Sequence, residues 1–178
     1  MKFTTPIAAL CAVAATVSAA PMAALNQPKG LFKIEPGAPN GWYTHHIALD
    51  GSVHTQYHGE VPSSIPTTSA ADTKSKRAPF GAQCQSLTFQ PADGQAAIQG
   101  LANTLDSNNQ FYHAISYSSG TAVAYGCDYA HGQSISGADM TSYITMLTEA
   151  CGQGKEGYFS LPDWKASYGI TTSGDGFC

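Results

Sequence analysis

An α+β fold, a β-α-β-β-α-β-β sandwich with two helices on one face of a mostly antiparallel sheet and two disulfides, is what this chain of 178 residues predicts. Three observations carry that expectation. Strand and helix signals alternate from residue 83 to residue 171, both helical segments are apolar along one stripe only, and four of the five cysteines lie at or beyond position 84. Helices with a single apolar face must bury it against a sheet.

Gln83 to Gln90 reads as a short strand. Asp93 is a suitable N-cap for a helix whose Ile98, Leu101, Ala102 and Leu105 fall at i, i+3, i+4 and i+7. That helix ends before the turn Asp106-Ser107-Asn108-Asn109. Two strands follow, Phe111 to Tyr117 and Thr121 to Tyr129, joined at Ser118-Ser119-Gly120. Ser136 opens a second helix with Asp139 three residues on, an approximate capping box. Its stripe is Met140, Tyr143, Ile144, Leu147 and Cys151, and Gly152 is the stop. Tyr158 to Leu161 and Ala166 to Thr171 complete the strands.

The N-terminus carries export signals. Lys2 precedes an apolar stretch from Pro6 to Val17 and the small residues Ser18, Ala19 and Ala20, so residues 1–20 read as a signal peptide. The stretch is too short to span a bilayer, which takes about 20 apolar residues, and no later segment approaches that length. Cys11 leaves with the signal peptide. Cys84, Cys127, Cys151 and Cys178 then form an even set in an oxidising compartment, which predicts disulfides in a secreted, extracellular protein. Four cysteines allow three pairings.

Residues 21–77 read as a propeptide. Within it, residues 42–58 carry Asp50-Gly51 between two alternating strands, a strong hairpin signal. With Leu49 set opposite Ser52, one face collects Tyr43, His45, Ile47, His54, Gln56 and His58. His45 would then sit diagonal to His54 and His58, the weak candidates for a metal or a proton-sensitive cluster. An isolated hairpin is marginal in water, so this one is expected to lean on the rest of the protein until cleavage. Residues 59–77 are rich in Ser, Thr and Pro with no aromatic residue, a disordered linker in composition. They end at Lys76-Arg77, which resembles the site read by kexin-type processing proteases of the secretory pathway and gives the chain a fungal look. The expected mature domain is 78–178, with a processing protease as its first partner.

The stretches IQGLANTLDSNNQFY, AYGCDYAHGQSISGADMTSYITMLTEACG and GYFSLPDW resemble the small secreted killer-toxin family first known from a virus-infected smut fungus. They match its helix running into an aromatic strand, its cysteine strand with Gly-rich turn and second helix, and its final hairpin. The resemblance covers nearly all of residues 80–178. It implies pairing of Cys84 with Cys151 and of Cys127 with Cys178. The family carries more cysteines, and its founding toxin is basic, with a lysine implicated in blocking calcium channels; no residue here matches that lysine. The fold can transfer without the channel activity.

Composition excludes several function classes. Residues 78–178 hold Lys155 and Lys165 against eight acids, a formal charge of −6, and contain no Arg. Nucleic-acid binding through phosphate neutralisation and attraction to anionic lipid are therefore not expected. His113 and His131 are the only histidines there, with Asp128, Asp139 and Glu149 as carboxylates that could pair with them. A ribonuclease would also need a cation for the phosphate transition state. There is no G-x-S-x-G, H-E-x-x-H, C-x-x-C, phosphate loop or N-glycosylation sequon. No cofactor is expected.

The sequence thus points to a non-enzymatic, effector-like or killer-toxin-like secreted protein that contributes to virulence by binding a protein or cell-surface target. A small secreted hydrolase or ribonuclease using His113 or His131 is the alternative. Trp164, between Asp163 and Lys165 after Pro162, is the ring expected to be exposed for interaction.

Overall fold

A computed structural model describes residues 30–61, 80–108 and 110–178. Residues 1–29, 62–79 and 109, among them the expected signal peptide, most of the expected linker and Lys76-Arg77, lie outside the described residues. The elements are β1 (Phe32–Lys33), β2 (Gly41–Ile47), β3 (Val53–Gly59), β4 (Phe80–Thr88), α1 (Pro91–Ser107), β5 (Ala114–Ser119), β6 (Ala122–Asp128), α2 (Gly137–Cys151), β7 (Lys155–Leu161), a 3-10 turn (Pro162–Trp164), β8 (Ala166–Thr172) and β9 (Gly176–Phe177). From β4 to β8 the order is the β-α-β-β-α-β-β expected from the sequence.

Seven strands form one sheet in the order β3-β2-β5-β6-β8-β7-β4, every neighbouring pair antiparallel. Both helices cover one face. Alternate residues of the central strands point to them, so Ile115, Phe159, Tyr168 and Ile170 meet Leu101, Leu105, Met140, Ile144 and Leu147 in the main core. The opposite face is covered by a separate two-stranded ribbon, β1 with β9, pairing Phe32 with Phe177. Beneath it lies a second core of Phe32, Ile34, Tyr43, Val123, Tyr125, Cys127 and Phe177.

Caps follow the sequence closely in α2. Ser136 is its N-cap and accepts from Asp139 N at 3.1 Å, with Gly152 as C-cap. In α1 the expected cap is corrected: Gln90 is the N-cap, because Pro91 begins the helix two residues before Asp93. Proline is suited to a first turn, where its missing N–H would have no helical partner. Asp93 instead accepts from Thr121 N at 2.8 Å and Thr121 Oγ1 at 2.7 Å, tying α1 to the β5–β6 connection. β5 starts at Ala114 rather than Phe111: His113 has φ 60° and Phe111 bridges to Gln133, which interrupts the ladder.

Two disulfides join Cys84 to Cys151 and Cys127 to Cys178, the pairing that the family resemblance implied. The first fastens edge strand β4 to the end of α2. The second fastens the last residue beneath the ribbon to central strand β6.

The hairpin of β2 and β3 is part of the main sheet. β2 is paired on both sides, with β3 and with β5 from Gly41↔Ser118 to His45↔Ala114. Its register differs from the expected one. Ala48 N donates to Ser52 O and Gly51 N donates to Ala48 O, so the loop is Leu49-Asp50-Gly51, three residues rather than two. Gly51 takes φ 84°, the left-handed position that completes such a loop. One residue of slip exchanges the faces of a strand. Val53, Thr55 and Tyr57 therefore lie with Tyr43, His45 and Ile47, and His54, Gln56 and His58 move to the other face.

Candidate functional site

The hairpin concentrates the side chains that the packing leaves unusual. On the ribbon side, β2 sends Tyr43 and His45 into the second core, where the His45 side chain is fully buried. Its ring stands between Phe32 and Phe177, with centroids 5.1 and 5.2 Å away. Nδ1 lies 3.0 Å from Thr55 Oγ1 on β3, and Nε2 lies 2.8 Å from Ser116 Oγ on β5. Burial, and secondarily the neighbouring His46, lower its pKa from 6.5 to about 3. A neutral imidazole with both nitrogens engaged is the stable form in such a site.

Further along the same face the ribbon no longer covers the strands. Ile47 and Val53, directly paired across the hairpin, remain 38% and 40% exposed, and Leu49 at the tip is fully exposed. Tyr57 is 45% exposed, its hydroxyl donating to Asn40 O at 3.0 Å. Four large apolar or aromatic side chains thus stand in solvent on one hairpin, held in place by an interior strand.

The helix-side face of the hairpin carries Trp42, Thr44 and His46 with His54, Gln56 and His58. Trp42 stacks on His58 with centroids 3.9 Å apart, and His58 Nε2 lies 2.8 Å from Thr44 Oγ1. Burial and the nearby His46 lower the His58 pKa. His54 Nε2 lies 3.0 Å from Ser52 Oγ, and the His46 and His113 rings meet edge to face at 5.9 Å. The expected grouping of His45 with His54 and His58 is corrected: the register puts His45 on the opposite face from the other two. Among the described residues no group of three or more His, Cys, Asp or Glu could hold a metal ion.

The two remaining histidines flank the β5–β6 pair in sequence, one on each side. His113 is half-buried where β5 begins, and its Nδ1 accepts from Ile47 N at 3.1 Å, so it buttresses the hairpin. His131 is exposed in the loop after β6. Asp128 shapes that loop, accepting from Ala130 N at 2.9 Å, Gly132 N at 2.7 Å and Gln133 Nε2 at 3.3 Å. Asp139 accepts from Ser136 Oγ at 2.9 Å, and Glu149 is exposed on α2. Trp164 lies in the 3-10 turn but is half-buried against the helix-side core, and its carbonyl accepts from Gln133 Nε2 at 2.6 Å.

One acid escaped the sequence reading. Glu156 on β7 is buried and accepts from Thr171 Oγ1 at 2.8 Å and Thr172 N at 2.6 Å, while its Oε2 has no partner among the described residues. Nothing in Lys155-Glu156-Gly157 distinguishes it from a surface acid. Near it Tyr125 is buried, and burial first of all raises its pKa well above 10.0, so the phenol stays neutral.

Two disulfides and the absence, among the described residues, of any helix long and apolar enough to cross a membrane are compatible with a secreted protein. Comparison with known proteins adds no relative: no family model, no curated protein and no solved structure matches this chain.

Proposed function

We propose that this is a secreted, non-enzymatic protein of effector-like or killer-toxin-like character, cut after Arg77 and acting by binding a protein target on another cell. The observation that carries the reading is the hairpin of β2 and β3, upstream of the cut but paired into the main sheet, where Ile47, Leu49 and Val53 at the tip and Tyr57 farther along β3 are presented to solvent. Exposed apolar and aromatic residues clustered on one element are the usual makings of a protein interface. The acidic balance of residues 78–178 favours a protein surface over anionic lipid or nucleic acid. Of the three carboxylates that could have served a histidine base, Asp128 and Asp139 are occupied in shaping a loop and a helix start.

The experiment is binding of the labelled purified protein to intact cells, with toxicity scored in parallel. Leu49→Asp combined with Val53→Lys should leave the fold intact and lower cell binding at least about tenfold, the scale of losing one or two interface anchors. His131→Ala should leave binding and toxicity unchanged. Toxicity lost in His131→Ala with the fold preserved would overturn the non-enzymatic reading, and binding unaffected by the tip substitutions would overturn the assignment of the hairpin.

A further inference from the structure

The segment upstream of the cleavage site is bound to the rest of the protein in the manner of a subunit. It supplies β2, an interior strand with ladders on both sides, and β1, half of the ribbon. Phe32, Ile34, Tyr43 and His45 are buried in the second core, while Trp42 and Val61 pack against the main one. Polar contacts cross the same boundary: Gly120 N donates to Asn40 Oδ1 at 2.9 Å, Gly174 N to Ile34 O at 2.8 Å, and His45 meets Ser116. No disulfide crosses it, because both join cysteines within residues 84–178. A strand held on both sides and a buried aromatic cluster outlast a cut between residues 62 and 79, whereas a purely non-covalent seat remains reversible.

We infer that cutting between residues 62 and 79 nicks the protein rather than stripping it: residues 30–61 stay seated as a non-covalent subunit at neutral pH and are released in acid through His45. The inference rests on the processing proposed above and changes its product, a two-chain protein that keeps the hairpin tip.

His45 is the acid-sensitive contact because its ring is enclosed by uncharged neighbours, Thr55 from β3, Ser116 from β5, Phe32 from β1 and Phe177 from β9. The titratable groups on or beside those elements are His54, Tyr57 and His58 on β3, His113 and Tyr117 at and on β5, Lys33 and Glu35 by β1, and Asp175 by β9, of which His54 and His58 lie on the opposite face of the hairpin from His45. Lys33 and Glu35 pair with each other at 3.2 Å. The group that acts on the ring is His46 on its own strand, and it opposes protonation as burial does. The seated imidazole stays neutral down to about pH 3, whereas a released one takes a proton below 6.5. Affinity is therefore full above 6.5 and declines as pH falls towards 3. Linkage gives a loss of about tenfold near pH ~5.5 and about a hundredfold near pH ~4.5.

The test uses the full chain with a sequence-specific protease site in place of Lys76-Arg77, cut after purification and followed by native mass spectrometry and size exclusion. One species containing both fragments at neutral pH, separable in denaturant, with a dissociation constant rising by those factors in acid, is the expected result. Fragments that separate at micromolar concentration at neutral pH overturn the seat, and a pH-independent constant overturns the role of His45. His45→Gln should flatten the acid dependence; the wild-type titration decides the matter even where that variant does not fold. The mass of the naturally secreted chain is read separately, and a chain uncut at Arg77 refutes the processing while leaving the engineered cut to test the seat.

Discussion

His45 Nε2 lies 2.8 Å from the hydroxyl of Ser116, and this bond joins the N-terminal hairpin to the centre of the sheet across 71 residues of sequence. Both groups are fully buried, so neither has water as an alternative partner. Ser116→Ala should lower stability by about 1–3 kcal/mol, the cost of leaving a buried polar atom unpaired. Urea unfolding checks this: the midpoint should fall with the slope unchanged, and an unchanged midpoint would mean that the ring turns to Thr55 alone.

The uncut chain should also lose stability in mild acid. The His45 pKa is depressed from 6.5 to about 3 on folding, so the unfolded chain binds a proton that the native one excludes. The stabilisation is complete above 6.5 and is lost as pH falls towards 3, up to about 5 kcal/mol from this group. Unfolding free energies taken between neutral pH and about 4.5 should slope downward in wild type. A flat profile would show that the ring is solvated in the native state.

Asp128 and His131 provide a contrast between structural and catalytic roles. Asp128→Ala strips two backbone N–H groups and an amide of their acceptor and should cost about 2–3 kcal/mol. His131→Ala, in the same loop but exposed, should shift stability by less than about 0.5 kcal/mol. Thermal melts of the two variants separate the cases, and equal effects would contradict this arrangement of the loop.

Replacing Cys127 and Cys178 together by Ser should cost about 4 kcal/mol, given their sequence separation of 51. The loss should be local in its onset. Amide exchange should accelerate first in β9 and in its partner β1, while α2 and β4, held by Cys84–Cys151, keep their protection.

The legible parts of this fold were those decided within a few residues. Ser136, Asp139 and Gly152 marked both ends of α2 because caps are local chemistry, and the stripe from Met140 to Leu147 gave the buried face. Asp93 misled because Pro91 already satisfied the helix start. The hairpin was visible in Asp50-Gly51, yet its loop took in Leu49, and that one-residue difference reassigned the β3 histidines to the other face. His45 was visible as a strand residue, but its partners Ser116, Phe32 and Phe177 come from three separate elements. β1 and β9 are two residues each, too short to leave a periodic signal, and with them the second core and the burial of Glu156 stayed hidden.

The pairing of Phe32 with Phe177 also sets an order of events in folding. The β5–β6 and β7–β8 pairs are joined by short connections and close cheaply, whereas the ribbon brings together residues from near opposite ends of the sequence. Loop-closure entropy delays such contacts until the intervening chain is already compact. β1 therefore acts as the final latch, and a nascent chain carries an unfinished second core, with Tyr125 and Val123 uncovered, until its first described residues meet its last.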